Sequence, residues 1–137
     1  MAVFNKFNSF TTQLGFKTMN LDADVLKGYL TNVAPLATNT VFGTPAEITA
    51  GNGYTAGGTD AQGVWSQTPA GTGSLTCTDI VWTAAGGTIG PFQYVVLYDD
   101  TSTLKHLIGW WAHIAPVTLA AGETFTTDFA ATTLTLA

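Results

Sequence analysis

The amino-acid sequence predicts an all-β fold: an antiparallel β-sandwich or jelly-roll-like fold of about eight strands, with a short N-terminal helix or arm. Short apolar segments recur along the chain, and turns rich in glycine, proline and aspartate separate them. Short segments at this spacing are typical of sandwiches and jelly rolls. Long helical patterns do not alternate with them, which argues against a parallel βαβ fold.

The N-terminal segment carries apolar residues at helical spacing. Four of them lie three, three and four residues apart: Phe4, Phe7, Phe10 and Leu14. This spacing predicts one face of a short helix, which Gly15 could end. Residues 1–20 are therefore predicted to be a helix or arm, and residues 21–137 a single β-sandwich domain. The helix either caps one end of the sheet core or docks as an arm on a neighbouring subunit.

The first predicted strand covers residues 24–31, DVLKGYLT. Because side chains alternate along a strand, Leu26, Gly28 and Leu30 share one side, which is the better inward face. Residues 32–45 are predicted to form a loop, since prolines interrupt both its start and its end.

A glycine cluster surrounds Tyr54 in the segment EITAGNGYTAGG. Its members are Gly51, Gly53, Gly57 and Gly58. Such a cluster predicts tight or left-handed backbone in a long, ordered loop. A phosphate-binding loop would need a lysine after its last glycine and a strand before it, and neither is present. Long loops on rigid β scaffolds often carry binding contacts, so this loop is a candidate contact surface.

The apolar pattern of residues 82–111 predicts a buried central hairpin. Residues 92–98 and 106–112 are apolar on both faces, as strands covered from above and below are. Trp110 and Trp111 are adjacent and should therefore face opposite sides of the sheet. Further features follow from the same patterns: strands at 64–65, 75–77, 80–82, 117–119, 125–129 and 132–137, a turn at 68–73, and a bend near Thr78 and Asp79.

Charge excludes several classes of partner. The net charge is −5, with four lysines and no arginine. Binding to nucleic acid or to anionic lipid needs a cationic surface, so neither partner is predicted. Charged residues make up only 9% of the chain, against about 25% in a typical domain. Such a weakly charged surface suits a protein that is partly covered in an assembly.

The sequence predicts no enzyme, no cofactor and no metal site. Nothing pairs two carboxylates for acid–base catalysis, and the DDTST segment is a poor match to a calcium loop. His106 and His113 lie seven residues apart, which places them on opposite faces of a straight strand. Cys77 is the single cysteine and is expected to be a buried apolar residue. The four tryptophans are expected to lie in the core or an interface rather than on a sugar-stacking platform.

The chain is predicted to be made in a cytoplasm and to lack a membrane helix. The N-terminus, MAVFNKFNSF, has no continuous apolar core of the kind a secretory signal needs. No apolar stretch reaches 18 residues.

Several segments, in order, carry a family resemblance: EITAGNGYTAGG, WTAAGGTIGPFQYVVLYDD, LIGWW and VTLAAGETFTTDF, with LTLA at the end. From about Asp22 onward, the chain resembles a group of small virion proteins from tailed bacteriophages. The resemblance implies a head decoration (cement) protein on the capsid surface, with the major capsid protein as its partner. A phage tail or fibre component, including a glycan-binding module, is the alternative.

A decoration protein needs a rigid scaffold, extended loops and apolar anchors. Weak contacts in many copies add up to a strong clamp, and a homo-oligomer, a dimer or a trimer, is the usual way to present them. The residues expected to make these contacts lie in the N-terminal segment and the glycine loop: Phe4, Phe7, Phe10, Gly51, Gly53 and Tyr54.

Overall fold

The described part of the chain is all-β with one short helix, as the sequence predicts. The computed structural model describes residues 3–67 and 71–136. The helix α1 spans Asn8–Gly15. The strands of the described residues are β1 (Asn5–Lys6), β2 (Leu26–Thr31), β3 (Thr59–Asp60), β4 (Val64–Gln67), β5 (Gly73–Thr76), β6 (Ile80–Thr83), β7 (Ile89–Asp99), β8 (Leu107–Leu119), β9 (Thr124–Thr127) and β10 (Leu134–Leu136).

The strands form one large sheet and two small ones. The large sheet has the order β1-β8-β7-β2-β3, and the small sheets have the orders β10-β5-β4 and β6-β9. Every pairing between these strands is antiparallel. The large sheet is built around the β7–β8 hairpin, so the stretch predicted to be central is central.

The small β6–β9 sheet and the segment after it cover one face of the large sheet, which gives the fold its sandwich-like character. The ring of Phe92 on β7 meets that of Phe125 on β9 edge-on, with centroids 5.0 Å apart. Trp111 on β8 meets Phe129 in the same way at 5.1 Å. These side chains are apolar and largely removed from water, and their burial is the main stabilising term of the fold.

The opposite face of the large sheet is covered by Phe7, just before α1, and by the loop after β2. Phe7 packs on Trp110 with ring centroids 4.6 Å apart, and Phe42 packs on Tyr98 at 4.8 Å. Trp110 and Trp111 therefore contact different layers, which confirms that they face opposite sides.

The predicted N-terminal helix is shorter than its phenylalanine spacing indicated. Phe4 precedes β1, and Phe7 is the residue just before the first helical turn, with extended backbone. Only Phe10 and Leu14 of the predicted stripe lie in α1, which does end at Gly15. The spacings of three and four residues between the apolar side chains are coincidental, because this segment is a short strand followed by a helix.

Other strand predictions need smaller corrections. The predicted segments 106–112 and 117–119 are joined in a single strand, β8, which begins one residue later, at Leu107. The predicted bend near Thr78 and Asp79 is the passage between β5 and β6, which belong to different sheets. Leu26, Gly28 and Leu30 are buried, but so is Tyr29, because β2 is covered on both faces. The predicted turn at 68–73 includes residues 68–70, which lie outside the described residues.

Candidate functional site

The N-terminal phenylalanines belong to the chain's own core. The side chains of Phe7 and Phe10 are 0% and 1% exposed. Phe4 is half-buried, and its ring lies against Gly109 of β8 and 5.2 Å from that of Trp111. Residues 5 and 6 pair with β8 as its edge strand. The structure thus matches the capping interpretation, and the rings of Phe7 and Phe10 are not available as surface contacts.

Tyr54, the apolar centre of the glycine loop, is also buried, with 2% of its surface exposed. Its hydroxyl donates to Oε2 of Glu47 at 2.9 Å and accepts from the N–H of Leu30 at 3.2 Å. The N–H of Gly57 donates to the same carboxylate oxygen at 2.9 Å. Burial and the adjacent Glu47 carboxylate raise the pKa of Tyr54. The tyrosine therefore fastens the loop and does not act as a contact.

Gly51 and Gly53 are exposed and have positive φ angles of 123° and 101°. A Cβ at Gly53 would collide with the carbonyl oxygen of Thr83. The loop can follow this path only with glycine there. Of the predicted contact residues, these two backbone positions and the outer part of Phe4 remain accessible.

A carboxyl pair that sequence reasoning missed lies where the β7–β8 turn meets the segment before β2. Asp99 is fully buried, and its Oδ1 accepts hydrogen bonds from the N–H groups of Thr101 and Ser102 at 2.9 and 3.0 Å. Its other oxygen has no hydrogen-bond donor in the described part of the chain, and the carboxyl of Asp24 adjoins it. Burial, followed by this second carboxyl, raises the pKa of Asp99. Asp24 and Asp99 are 75 residues apart, so no local pattern pairs them.

Asp100 has the opposite environment. It forms ion pairs with Lys27, at 3.1 Å, and with Lys105. The hydrogen bond from Lys105 is the main cause that lowers the pKa of this carboxyl. The two adjacent aspartates therefore have different roles. Asp99 accepts hydrogen bonds from the turn backbone, and Asp100 forms ion pairs with two lysines.

The two histidines do not form a site. His106 is 6% exposed and lies in the β7–β8 turn, where its N–H donates to the hydroxyl of Ser102. His113 is exposed, and its Nδ1 lies 2.9 Å from the carbonyl oxygen of Ala115. Cys77 is buried, as expected, and burial raises the pKa of its thiol. No group of three potential ligand side chains that could hold a metal occurs within residues 3–67 and 71–136.

A cleft of about 260 Å³ opens between the large sheet and β9. We call it the interlayer cleft. Its apolar wall consists of Phe92, Val95, Trp111, Ala112 and Phe125, and its polar rim consists of Gln93, His113, Thr126, Thr127 and Asp128. The ring of His113 lies 5.7 Å from that of Phe125, edge to face. A mostly apolar wall with a few polar groups is typical of small-ligand sites.

One polar group in the interlayer cleft has no partner. Thr127 is 6% exposed, and its hydroxyl makes no hydrogen bond within the described residues. The residue pairs with Ile80 across the β6–β9 ladder, on the same side of β9 as Phe125. A buried hydroxyl without a partner costs about 1–3 kcal/mol. Such a group in a folded protein calls for a physical explanation.

A bulge in β8 borders the interlayer cleft. Between the pairs Phe92–Val117 and Tyr94–Ala112, β7 advances by two residues and β8 by five. The three additional residues of β8 leave residues 113–116 without ladder partners on β7, and we call this segment the β8 bulge. The side-chain amide of Gln93 donates to the carbonyl oxygen of His113 at 3.1 Å and holds its base. At its tip, Ile114 is 94% exposed.

The sequence held one signal for this bulge. Pro116 cannot donate a ladder hydrogen bond, so a proline inside a strand marks an edge or a bulge. The interlayer cleft had no such signal, because its walls depend on how β9 packs over the β7–β8 hairpin, and local sequence patterns do not show that packing.

Comparison with known proteins does not assign the chain to a family. No protein-family model matches the chain, and no curated protein or solved structure is significantly similar to it. The resemblance to phage virion proteins therefore stays a prediction. Within the described ranges, none of the helical structure is long and apolar enough to cross a bilayer.

Proposed function

We propose that this chain is a structural virion protein that decorates a phage capsid and stabilises it by binding across neighbouring capsid subunits. The observation that supports this most is the β8 bulge. Ile114 carries a large apolar side chain at 94% exposure in a bulge whose two ends, Ala112 and Val117, pair with β7 in the central hairpin. An exposed apolar side chain on a rigid support gains stability when a partner removes it from water.

The rest of the surface supports the same function. Large hydrophobic side chains are exposed at several separate places in the described residues, among them Phe16 (73%), Leu104 (63%) and Leu36 (61%). Charged residues are only 9% of the chain. Single exposed apolar residues are ordinary, but in a weakly charged surface they favour coverage by other subunits. The partners of this proposal are the major capsid protein and further copies of the same chain.

A tail or fibre component remains the second candidate. The sandwich-like scaffold fits it equally well, because a fold alone does not define a function. The two candidates differ in copy number. A decoration protein should be present in purified particles in proportion to the major capsid protein, and particles that lack it should release their genome at lower temperature. Purified particles without the protein would refute both candidates, while a few copies per particle would favour the tail.

A further inference from the structure

We propose that the free edge of β9 binds an extended segment of a partner protein, which adds a third strand to the small β6–β9 sheet. The segment that fits is apolar at alternate positions and carries lysine or arginine at its ends. This contact is separate from the tip of the β8 bulge, so the inference goes beyond the proposed function and does not depend on it.

β9 has a strand partner on one side only. In the described residues it pairs with β6 and with no other strand. A two-stranded sheet is marginal by itself, and an unpaired edge is a ready template for another strand. The interlayer cleft lies along the unpaired side, since its described lining includes Phe125 and Thr126 of β9 but no residue of β6. An added strand would therefore lie over the mouth of the cleft.

The ladder between β6 and β9 shows which backbone groups of β9 face outward. The N–H of Ala84 donates to the carbonyl oxygen of Glu123 at 2.9 Å, one residue beyond the last pair of the ladder. Hydrogen-bonded and non-hydrogen-bonded pairs alternate in an antiparallel ladder, so the N–H and C=O groups of Thr124 and Thr126 point away from β6. Both residues are exposed, and none of these four groups bonds to another described residue. They can form four hydrogen bonds with an incoming strand.

β9 lacks the features with which proteins protect an open edge. Its sequence, TFTT, contains neither proline nor lysine, and its pairing with β6 has no bulge. The neighbouring edges are protected. Pro116 and the β8 bulge interrupt the free edge of β8, and Gly53 lies against the outward carbonyl oxygen of Thr83 on β6. β9 is therefore the open edge beside the cleft.

Charge defines the ends of the partner segment. Glu123 and Asp128 lie immediately before and after β9, and both are exposed. Each carboxylate is held in place by a backbone N–H, that of Ala120 or Ala130, at 2.8 Å. The described lining of the cleft includes no lysine. Opposite charges on neighbouring strands stabilise their pairing and like charges oppose it, so basic residues fit the two ends.

Alternation defines the middle of the segment. Side chains of an added strand point in turn toward the large sheet and toward solvent. Those on the inner side meet the half-buried Phe125 and the exposed Ala112 at the mouth of the cleft, where a volume of about 260 Å³ can receive them. The fully buried side chains below the mouth take no part in the contact. Apolar residues at every second position therefore fit this edge.

The test is a selection of short random peptides, displayed on a carrier, against the full chain. We expect the enriched peptides to alternate apolar residues, to carry lysine or arginine at their ends, and to bind at micromolar concentration. Hydrogen exchange followed by NMR should show at least tenfold protection of the amides of Thr124 and Thr126 in the complex. The amides of Phe125 and Thr127, which face β6, serve as controls and should change little. The absence of enriched peptides, or protection confined to other amides, would overturn the inference.

N-methylation of the best peptide tests whether backbone pairing is responsible, with the wild-type protein unchanged. Methyl groups on the peptide nitrogens that face β9 should lower the affinity at least tenfold. Methyl groups on the alternate nitrogens, which face away, should leave it within about twofold. Equal effects at both sets of positions would contradict strand addition.

Two protein variants form a matched pair across the ladder. Thr126→Pro removes an outward N–H on the open edge of β9, whereas Val81→Pro removes one on β6, from the residue that pairs with Thr126. A proline whose missing N–H faces outward keeps the ladder bonds. We expect Thr126→Pro to lose peptide binding and Val81→Pro to retain it. The reverse pattern would place the site on β6 and overturn the inference.

The charge requirement has its own variant. Glu123→Gln combined with Asp128→Asn keeps the oxygens that accept backbone N–H groups but removes both charges. Affinity for a peptide with basic ends should fall at least threefold at low salt, and the difference should shrink at high salt. A peptide with glutamate at both ends that binds the wild type equally well would contradict the stated chemistry. Protection of Thr124 and Thr126 that rises with protein concentration and resists every peptide would make a second copy the occupant instead.

Discussion

Gly28 of β2 lies directly beneath the side chain of Ile80 of β6. A Cβ at position 28 would stand 2.9 Å from Cδ1 of Ile80, closer than such atoms come in proteins. Val95 and Phe129 close the remaining space. The absence of a side chain at this position lets the small β6–β9 sheet approach the large sheet.

Gly28→Ala should therefore destabilise the protein, although alanine suits a strand better than glycine does. We expect a loss of about 1 kcal/mol, at the low end of the usual cost of overpacking a core, because Cδ1 is the far end of a side chain that can turn aside. The matched control is Gly15→Ala, where no atom lies within 4 Å of the added methyl group. The control should leave stability unchanged or raise it by up to about 1 kcal/mol. Urea denaturation of both variants measures the difference.

A double variant tests the cause. Ile80→Val removes the Cδ1 atom that the new methyl group would meet, so Gly28→Ala should cost less in that background. Equal costs in both backgrounds would show that the contact with Ile80 is not responsible.

The buried carboxyl of Asp99 should make stability depend on pH in an unusual direction. Burial and the adjacent Asp24 raise its pKa to about 7 in the folded protein, whereas an unfolded aspartate titrates near pH 4. The folded state thus holds a proton that the unfolded state has lost. The associated stability is complete below about pH 4 and disappears as the pH rises through about 7. Each pH unit between these two pKa values corresponds to roughly 1.4 kcal/mol of unfolding free energy.

Asp99→Asn isolates this effect, since it keeps an oxygen for the N–H groups of Thr101 and Ser102. The other titratable and charged groups near this turn, namely Asp24, Lys27, Asp100, Lys105 and His106, stay in place. The free energy of unfolding of the wild type should fall relative to that of the variant between about pH 4 and pH 7 and then level off. Asp128→Asn, at an exposed position, should follow the wild type. Parallel curves for wild type and Asp99→Asn would contradict the account.

Tyr54 should contribute to stability through its hydroxyl group. Tyr54→Phe leaves the ring in place but removes the donor to Glu47 and the acceptor for Leu30. The loss of a hydroxyl that leaves buried partners unpaired costs about 1–3 kcal/mol. Tyr94→Phe is the control, because Tyr94 is only half-buried and lies outside the glycine loop. Thermal unfolding at neutral pH should give a lower midpoint for Tyr54→Phe than for Tyr94→Phe. Equal midpoints for the two variants would refute the role of Tyr54 in fastening the loop.

Local features of the fold could be predicted from the sequence, and features that join distant segments could not. Trp110 and Trp111 must face opposite sides because neighbours on a strand do. The positive φ angles at Gly51 and Gly53 could also be predicted locally, because a glycine cluster is typical of left-handed backbone. By contrast, Phe4 and Phe7 fitted a helical pattern, although residues 5 and 6 pair with a strand about a hundred residues away. Local periodicity carries no information about such a pairing.

The candidate site illustrates the same limit. Pro116 marks an irregular strand, but the exposure of Ile114 depends on how β7 pairs with β8. The wall of the interlayer cleft depends on how β9 packs over Phe92. Both the exposure of Ile114 and the shape of the cleft wall depend on contacts between strands, so no short segment of sequence encodes them. The glycine loop and the phenylalanine segment were predicted as contacts because both are conspicuous in sequence, yet their large side chains serve the core.

Ile114 should anchor a partner without contributing to the fold. Its side chain is 94% exposed, so Ile114→Asp should change the free energy of unfolding by less than about 0.5 kcal/mol. The same variant should lower the number of copies retained on purified particles. Val81→Asp, at a position 57% exposed on β6, is the control and should bind normally. Normal retention of Ile114→Asp would remove the β8 bulge from the interface.

The central claim is the location of the protein on the capsid, and a reconstruction of purified particles by electron microscopy tests it most directly. Our account predicts repeated density of this sandwich-like fold on the outer surface of the head, placed over the junctions between major capsid subunits, with the β8 bulge turned toward them. Density confined to the tail, or a head surface that lacks this fold, would contradict it.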